Sequence, residues 1–350
     1  NHLIIEIEDI SGKIKCLVMN NKGGLFEDAK DLVGDEVIGI TGTVGDGIIF
    51  INEIYFPEIP RGIPIKKGEI DEYAVFISDL QIGSKKFLRA SFLKFIRWIN
   101  GEVGSTEQKK EALKVKYLFV TGDVVDGVGI YPGQDNDLEI SSVFEQYEEC
   151  AKLFSKIRKD INIILAPGNH DAVRLAEPQP IIDKDICNSL WEMENITLVS
   201  NPSMINVGST KNFEGINVLM YHGFSFDYYV SYLDSIRNEG GYDNICKLMK
   251  ILLRKRHIAP THDANPSVID CEEDYMIVDK VPDIFVAGHV HKAKIDQYMQ
   301  TTLICSSCWQ SKTAYEEKLG HVPEPGRAAI VNLRTREAKF MKFLKEEEDE

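Results

Sequence analysis

Residues 117–127 read YLFVTGDVVDG, and this stretch decides the fold of most of the chain. A run of apolar residues from Tyr117 to Val120 stops at a threonine and a glycine, and two carboxylates follow, Asp123 and Asp126. Continuous apolar character over four or five residues is typical of a strand that is buried on both faces of a sheet. The stretch therefore predicts a buried strand whose carboxyl end carries chemically active side chains.

Four other short apolar runs end in polar residues in the same way. They are Tyr73 to Ile77, Ile161 to Leu165, Val218 to Tyr221 and Ile284 to Ala287. Helical periodicity lies between the first runs, from Lys86 to Asn100 and from Val143 to Lys159. Strands joined by helical crossovers form an α/β sheet, and ligand sites in such sheets collect at the carboxyl ends of the strands. Residues 73–342 are therefore expected to form an α/β domain with one composite site.

The segments at these five strand ends combine oxygen donors with imidazoles. In chain order they are SDLQIG (78–83), TGDVVDG (121–127), PGNHD (167–171), YHG (221–223) and AGHVH (287–291). Taken singly each motif is weak, since a lone Gly-Asn-His or His-x-His also occurs in ordinary turns. Four of the eight histidines fall in these segments, however, and every segment follows a predicted strand. Mixed oxygen and nitrogen donors suit Mn²⁺, Fe²⁺ or Zn²⁺, so the pattern predicts a metal site.

The five motifs, in this order, resemble those of the calcineurin-like metallophosphoesterase superfamily over residues 78–291. The resemblance implies an α/β sandwich that holds two divalent ions and hydrolyses phosphoesters. The ligands that it implies by position are Asp79, Gln81 and His291 for the first metal, Asn169, His222 and His289 for the second, and Asp123 as the bridge between the two.

Gln81 departs from this family pattern, which has a histidine at the same place. An amide oxygen can coordinate a metal, but more weakly than an imidazole does. We therefore expect the first metal to exchange readily, or its site to accept only certain metals. Two divalent ions are the expected cofactors, with Mn²⁺ first and Fe²⁺, Zn²⁺ or Mg²⁺ as alternatives.

Three further residues receive roles in the implied mechanism. Two cations roughly 3.5 to 4 Å apart lower the pKa of a bridging water and neutralise charge on the phosphoryl oxygens. His170 is placed by the family pattern to face the scissile phosphate and to give a proton to the leaving oxygen. Asp126 is expected to support the ligands without binding metal itself. Asp171 either orients the His170 ring or caps its own loop.

Residues 1–60 show a different pattern, with short strands broken by glycine turns. The predicted strands are Leu3 to Ile7, Ile14 to Met19, Glu36 to Thr43 and Ile48 to Tyr55, and a short helix is predicted from Phe26 to Leu32. This spacing predicts a five-stranded β-barrel of the oligonucleotide/oligosaccharide-binding (OB) type, for which a scaffold or protein-contact role is equally open. A stiff linker is predicted at residues 61–72, in and just after a segment that contains Pro57, Pro60, Gly62 and Pro64.

Composition sets limits on partners and compartment. The net charge of −15 argues against a chain that holds DNA by broad phosphate neutralisation, and residues 343–350 are expected to be an acidic tail. Seven scattered cysteines fit reduced thiols, and no apolar run approaches the ~18 to 20 residues of a membrane helix. These features favour a cytoplasmic protein without membrane contact. Because the chain begins with Asn1 and not with Met, we expect it to be a fragment.

A narrower resemblance lies in the segment GNHDAVRLAEPQP (168–180), together with RHIAP (256–260). Both segments, and the barrel before the esterase domain, are similar to the small subunits of archaeal family-D DNA polymerases. The resemblance implies a 3′-to-5′ exonuclease that proofreads for a large catalytic subunit and receives a single-stranded or mismatched DNA 3′ end. Arg174, Arg254 and Arg256 are candidates for phosphate contacts, although ordinary loop and helix-surface charge is the simpler explanation of all three.

Two other functions stay open at this point. Gln81 also fits a weak or silent scaffold subunit of a polymerase, because related subunits have decayed metal sites. A free-standing DNA repair nuclease is a third possibility, which the predicted barrel before the esterase domain disfavours.

Overall fold

The structure of the chain, a computed structural model, describes residues 2–262, 264–266, 273–313, 317 and 322–344. The strands are β1 (Leu3–Asp9), β2 (Gly12–Val18), β3 (Gly39–Val44), β4 (Ile48–Tyr55), β5 (Tyr73–Ile77), β6 (Val115–Thr121), β7 (Asn162–Ala166), β8 (Ile196–Leu198), β9 (Ser203–Val207), β10 (Ile216–Met220), β11 (Ile284–Ala287), β12 (Ala293–Tyr298), β13 (Thr301–Ser306), β14 (Arg327–Asn332) and β15 (Ala338–Lys342).

The helices are α1 (Gly23–Lys30), α2 (Arg89–Ile99), α3 (Thr106–Leu113), α4 (Val143–Phe154), α5 (Lys184–Trp191), α6 (Phe226–Tyr232), α7 (Asp234–Arg237) and α8 (Ile245–Lys255). Short 3₁₀ turns lie at Gln134–Asn136 and Gly241–Asn244. Among the helices of the described residues, none reaches the length and apolarity that crossing a lipid bilayer requires. The predicted acidic tail lies outside the described residues from residue 345 onward.

The chain divides into two compact units. The first contains residues 1–60, 227–265 and 276–279, and the second contains residues 61–226, 266–275 and 280–350. The sequence-based domains placed residues 227–265 in the esterase domain, so the structure draws this boundary differently. Helix α8 belongs to the first unit because Lys255 Nζ donates to both carboxylate oxygens of Glu36 at 2.7 Å and Arg254 pairs with Asp28 at 3.0 Å.

In the first unit, four strands form one sheet in the order β1-β2-β4-β3. The β1–β2 pair is an antiparallel hairpin, and the Asp9 carboxylate accepts the backbone N–H of Ser11 in its turn. Strands β2 and β4 are parallel, and α1 covers the sheet through Ala29, which packs with Cys16 and Ile51. Among the described residues, β1 and β3 do not pair with each other, so the predicted five-stranded closed barrel is not confirmed.

The second unit contains two sheets. The six-stranded sheet has the order β15-β14-β5-β6-β7-β8, with β5 to β8 parallel, and the five-stranded sheet has the order β12-β13-β11-β10-β9. Buried apolar residues from both sheets form a shared core that includes Phe76, Phe119, Val218 and Val286. The predicted mixed α/β fold is confirmed, and its layers form a sandwich.

The other face of the six-stranded sheet is covered by helices. Helix α2 contributes Phe92 and Phe95, and α4 contributes Leu153 and Phe154, to a core with no solvent exposure at these side chains. Apolar side chains of these helices recur with helical spacing, and that pattern predicts both elements. Because helices cover one face and the second sheet covers the other, β5, β6 and β7 are buried on both faces, as their continuous apolar runs predict.

Candidate metal centre

The carboxyl ends of five strands bring the predicted ligands together. In the six-stranded sheet, Asp79 follows β5, Asp123 follows β6 and Asn169 follows β7; in the five-stranded sheet, His222 follows β10, and His289 and His291 follow β11. Parallel strands present their carboxyl ends at the same sheet edge, and the sandwich places the two edges side by side.

Asp123 lies at the centre of this group. Single ligand atoms of Asp123, His222 and His289 all lie within 4.8 Å of one another. Asp123 Oδ2 is 3.4 Å from His222 Nε2 on one side, and on the other it accepts a hydrogen bond from Gln81 Nε2 at 3.1 Å. A carboxylate oxygen placed between two donor groups in this way fits the bridging role that the sequence predicts.

His222 is oriented for coordination by its own backbone surroundings. Its Nδ1 lies 2.9 Å from the carbonyl oxygen of Thr121, which can only accept, so this nitrogen carries the proton in the neutral ring. Nε2 therefore faces Asp123 and Asn169 Oδ1, which is 3.0 Å away, and it is the nitrogen that becomes free for a metal once its proton leaves. A metal-binding histidine needs this arrangement, in which one nitrogen is fixed by a hydrogen bond and the other is left for the metal.

The charges around Asp123 and His222 favour a bound cation. Burial alone would raise the pKa of Asp123, yet the His222 and His170 rings hold that pKa below its usual range. Burial opposes charge on His222, but the Asp123 carboxylate raises the pKa of His222 to about 10. In the metal-free chain, protons thus compensate a buried carboxylate, and a divalent cation would take over that compensation.

The other half of the centre is built around Asp79. Its carboxylate accepts the backbone N–H of His289 at 3.0 Å and the hydroxyl of Ser78, and it lies 3.3 Å from His291 Nε2. Gln81 is also buried, and within the described part of the chain its Oε1 has no hydrogen-bond partner, although its Nε2 has one. An unpartnered buried amide oxygen is costly in a folded protein. The donor set therefore fits a cation at this place too.

The backbone at the centre is strained. A left-handed φ is recorded at Asp79 (51°), Gln81 (52°), Asp123 (50°), His289 (67°) and His291 (55°). Side chains other than glycine rarely adopt this region, which costs of order 1–3 kcal/mol each and concentrates at functional sites. Gly168 permits close approach, since a Cβ there would collide with the Asp123 carboxylate and the His222 ring.

His170 points a different way from the ligands. Its backbone N–H donates to Asp123 Oδ1 at 2.8 Å, while its Nδ1 lies 2.8 Å from the carbonyl oxygen of Asp126. Its Nε2 is 4.0 Å from Asp123 Oδ2, and 19% of the side chain is exposed. His170 therefore offers a ring nitrogen at the solvent-accessible side of the centre.

Asp126, for which the sequence predicts a supporting role, contacts the His170 ring through its backbone. Burial raises the pKa of Asp126, whose carboxylate accepts from Gln134 Nε2 at 3.0 Å and from Gln310 Nε2 at 3.1 Å. Sequence reasoning did not single out either glutamine, since a buried amide has no signature in periodicity or motif. Asp126 supports His170 through its backbone carbonyl.

Asp171 caps its loop. Its carboxylate accepts the backbone N–H groups of Gly168 at 2.8 Å and Val124 at 3.2 Å and the Tyr147 hydroxyl at 3.0 Å. Burial raises the pKa of Asp171 to about 6. Of the two roles that the sequence left open, these contacts match the cap, because they join the loop after β6 to the loop after β7.

The three arginines proposed for DNA contacts make intramolecular bonds. The guanidinium of Arg174 donates to the Pro178 carbonyl at 2.6 Å, and that of Arg256 donates to the Val278 carbonyl at 2.6 Å. Arg254 pairs with Asp28 and lies over the Phe56 ring, 3.9 Å from its centre. Arg254 and Arg256 belong to the first unit and Arg174 to the second, and contact with DNA stays a prediction for all three.

Comparison with known proteins gives concordant results. The profile of the calcineurin-like phosphoesterase family matches residues 74–293. The chain is 42% identical to the DNA polymerase II small subunit of Methanothermobacter thermautotrophicus, over 95% of this chain and 66% of that protein. It is 40% identical to the protein of the same name from Archaeoglobus fulgidus, over 93% of this chain and 64% of that protein. The resemblance to polymerase small subunits is thereby confirmed, and the chain spans just under two thirds of these curated relatives.

A solved archaeal phosphodiesterase aligns with 77% of this chain and 98% of its own, at 12% identity and a TM-score of 0.37. That likeness is too distant to add to the fold assignment.

Proposed function

Because this chain belongs to the calcineurin-like phosphoesterase family, we propose that it is the small subunit of an archaeal DNA polymerase and acts as a two-metal 3′-to-5′ exonuclease. One observation carries the catalytic part: the Asp123, His222 and His289 donor atoms lie within 4.8 Å of one another, beside His170. The relatives named DNA polymerase II small subunit support the polymerase part.

In this proposal the chain holds two divalent ions, with Mn²⁺ as the first candidate and Fe²⁺, Zn²⁺ or Mg²⁺ as alternatives. Asn169, His222 and His289 would hold one ion and Asp79, Gln81 and His291 the other, with Asp123 shared. When bound, such a pair activates a water as the nucleophile and neutralises charge on the phosphoryl oxygens. The residues of the chain then have two tasks. They hold the ligand atoms at the spacing that the metals require, and they deliver a proton.

His170 would deliver that proton. As the nucleophile's oxygen bonds to phosphorus and the bond from phosphorus to the 3′ oxygen breaks, the proton on His170 Nε2 would pass to the leaving 3′ oxygen. The hydrogen bond from Nδ1 to the Asp126 carbonyl, 2.8 Å long, fixes the ring so that Nε2 faces the open side of the centre. The products are a nucleoside 5′-monophosphate and a strand shorter by one residue.

The negative charge of the chain supports a model in which two subunits share the binding of DNA. A net charge of −15 gives little attraction for a long duplex, so a large catalytic subunit would hold the DNA and this chain would receive only a single-stranded or mismatched 3′ end. Such a complex would work on chromosomal DNA in the cytoplasm. The four-stranded sheet of the first unit exposes Phe50 and Tyr55 on β4, and we propose it as an OB-type surface for single strands.

A silent scaffold subunit is the second candidate, and a specific observation favours it. Gln81 replaces the histidine of the family pattern, and its Oε1 is a weaker ligand than an imidazole nitrogen. If the first ion never binds, the chain would organise a polymerase without hydrolysing DNA. A repair nuclease without a polymerase partner is the third candidate, and co-elution with a large subunit in gel filtration would exclude it.

The decisive assay uses a primer with a mismatched 3′ nucleotide and the same primer fully paired. The chain, alone and with a large subunit, should release mononucleotides faster from the mismatched end, and only when Mn²⁺ is present. Release from 5′ ends would contradict the polarity that we propose. No release from any DNA at saturating Mn²⁺ would leave the scaffold as the better account.

A further inference from the structure

The mechanism above makes no use of the segment EPQP (177–180), although its polar residues are deeply buried. Glu177 is 1% exposed and Gln179 is 2% exposed. Buried polar groups of this kind persist in proteins when they are hydrogen-bonded and have a structural or functional task. The partners of this segment therefore indicate what the task is.

Gln179 connects the segment to the loop that carries Asn169. Its Nε2 donates to the carbonyl oxygen of Gly168 at 3.2 Å, one residue before the ligand. Its Oε1 accepts from Asn201 Nδ2 at 2.8 Å, and the two backbones exchange N–H···O bonds of 2.7 and 3.0 Å. Gln179 is thus held on two sides and transmits that constraint to the Asn169 loop.

Asn201 connects the same network to the other ligand loop. Its Oδ1 accepts the backbone N–H of His222 at 2.8 Å, and its side chain is fully buried. Its Nδ2 also reaches Glu177 Oε1 at 3.2 Å, while the Tyr221 hydroxyl donates to Glu177 Oε2 at 3.0 Å. A buried carboxylate therefore fixes Asn201, and Asn201 fixes the residue that carries the His222 imidazole.

We propose that Gln179 and Asn201 are positioning residues that set the spacing of Asn169 and His222 for the metal they share, with Glu177 as their anchor. The chain of bonds runs from Gly168 through Gln179 and Asn201 to His222, behind ligand atoms that lie 3.0 Å apart. This inference rests on the proposed function, since it requires that the centre bind metal. Groups that hold metal ligands from behind typically change affinity 10- to 100-fold when they are removed.

A purely structural role makes a different prediction. If the network only fills the core, its removal lowers stability and leaves the metal affinity of the folded protein unchanged. If it positions ligands, the metal affinity falls even in variants that stay folded. Mn²⁺ binding and the thermal midpoint of the metal-free chain must therefore be measured together.

The test compares Gln179→Met with Gln300→Met. Both replace a glutamine of the second unit that is at most 5% exposed, and Gln300 lies in the β12–β13 turn, at the end of β12 away from His291. Isothermal titration with Mn²⁺ should show a Kd about 10- to 100-fold higher for Gln179→Met than for the wild type, and an unchanged Kd for Gln300→Met. Both variants should keep the circular dichroism spectrum of the wild type.

Glu177→Gln changes a residue that is one hydrogen bond further from the ligands. It tests the positioning role if Gln179→Met does not fold. It should raise the Kd for Mn²⁺ less, about 2- to 10-fold, since Asn201 keeps its other partners. An unchanged Kd in the folded variants would overturn the positioning role and leave the proposed function standing. A wild-type chain that binds none of Mn²⁺, Fe²⁺, Zn²⁺ and Mg²⁺ in the same titration would overturn both.

Discussion

The two halves of the candidate metal centre are built unequally. The half with His222 combines a shared carboxylate, two imidazoles and an amide oxygen, and hydrogen bonds to backbone carbonyls and buried amides fix its parts. The half with Asp79 shares that carboxylate and adds a second carboxylate, one imidazole and the amide of Gln81, whose oxygen has no hydrogen-bond partner among the described residues. Under the proposed two-metal function, this difference predicts that one ion is held firmly and the other weakly, so catalysis would depend on filling the weaker half.

This asymmetry also explains how one chain can fit two functional interpretations. A centre with only its stronger half filled would be a structural metal site, and the same centre with both halves filled would be a phosphodiesterase. In our proposal Asp123 belongs to both halves, and His170 serves only the reaction. Variants at Asp123 and His170 therefore distinguish the loss of metal binding from the loss of proton transfer.

The largest effect is expected from Asp123→Asn, which removes the charge shared by the halves. We expect both ions to be lost and hydrolysis to fall by more than about 10⁴-fold, since neither nucleophile activation nor charge neutralisation survives. Elemental analysis of the purified variant measures the ions directly. The matched control is Asp283→Asn, because Asp283 is equally buried but lies before β11, at the opposite end of that strand. Two bound ions in Asp123→Asn would refute the bridging role.

The next largest effect is expected from His170→Ala. It should reduce kcat about 10²- to 10⁴-fold while the metal content stays at the wild-type value, because His170 transfers a proton and binds no ion. Single-turnover hydrolysis with elemental analysis of the same sample checks both parts. His2→Ala, which alters an exposed histidine of the first unit, should behave as the wild type. Full activity in His170→Ala would exclude it as the acid.

Gln81→His sharpens the comparison by making the weaker half resemble the family pattern. We expect about a 10-fold tighter second Mn²⁺ binding step and an unchanged first step, since an imidazole nitrogen replaces an amide oxygen. Titration calorimetry resolves the two steps. Gln300→His is the matched control, because it makes the same change in a buried glutamine away from the ligands. A tighter first step instead would mean that the halves have been ranked wrongly.

The smallest effect concerns stability. Ions that bind only the folded chain stabilise it by about 2.7 kcal/mol per site at a concentration 100 times Kd. Thermal midpoints should therefore rise with added Mn²⁺ in two stages, the first at low and the second at high concentration. Chelation with EDTA should reverse both stages, and Asp123→Asn should show neither. A single stage would indicate two equal sites or only one.

The sequence predicts the strand ends well, and with them the place where the proposed ligands lie, because both follow local rules. Apolar runs such as residues 117–120 are buried strands, and the motif after each run lies at the shared edge. Gln134, Gln310 and Asn201 were missed, since their roles depend on hydrogen bonds to residues distant in the chain. Gln179 could have been found, because it lies in the segment that resembles polymerase small subunits.

In the first unit, the sequence predicts the strands but not how they pair. Hairpin spacing predicts its strands, yet sheet closure depends on pairing between edges, which periodicity does not report. The grouping of α8 with the N-terminal sheet likewise depends on Lys255 and Glu36, which are far apart in the chain and form a buried pair at 2.7 Å. Local patterns thus predict elements, and long-range pairs decide how the elements group.

Anomalous diffraction from crystals soaked at two Mn²⁺ concentrations tests the central claim most directly. We predict one peak among Asp123, Asn169, His222 and His289 at the lower concentration, and a second peak among Asp79, Gln81, His291 and Asp123 at the higher one. Absence of a peak within coordination distance of Asp123 at either concentration would contradict the account.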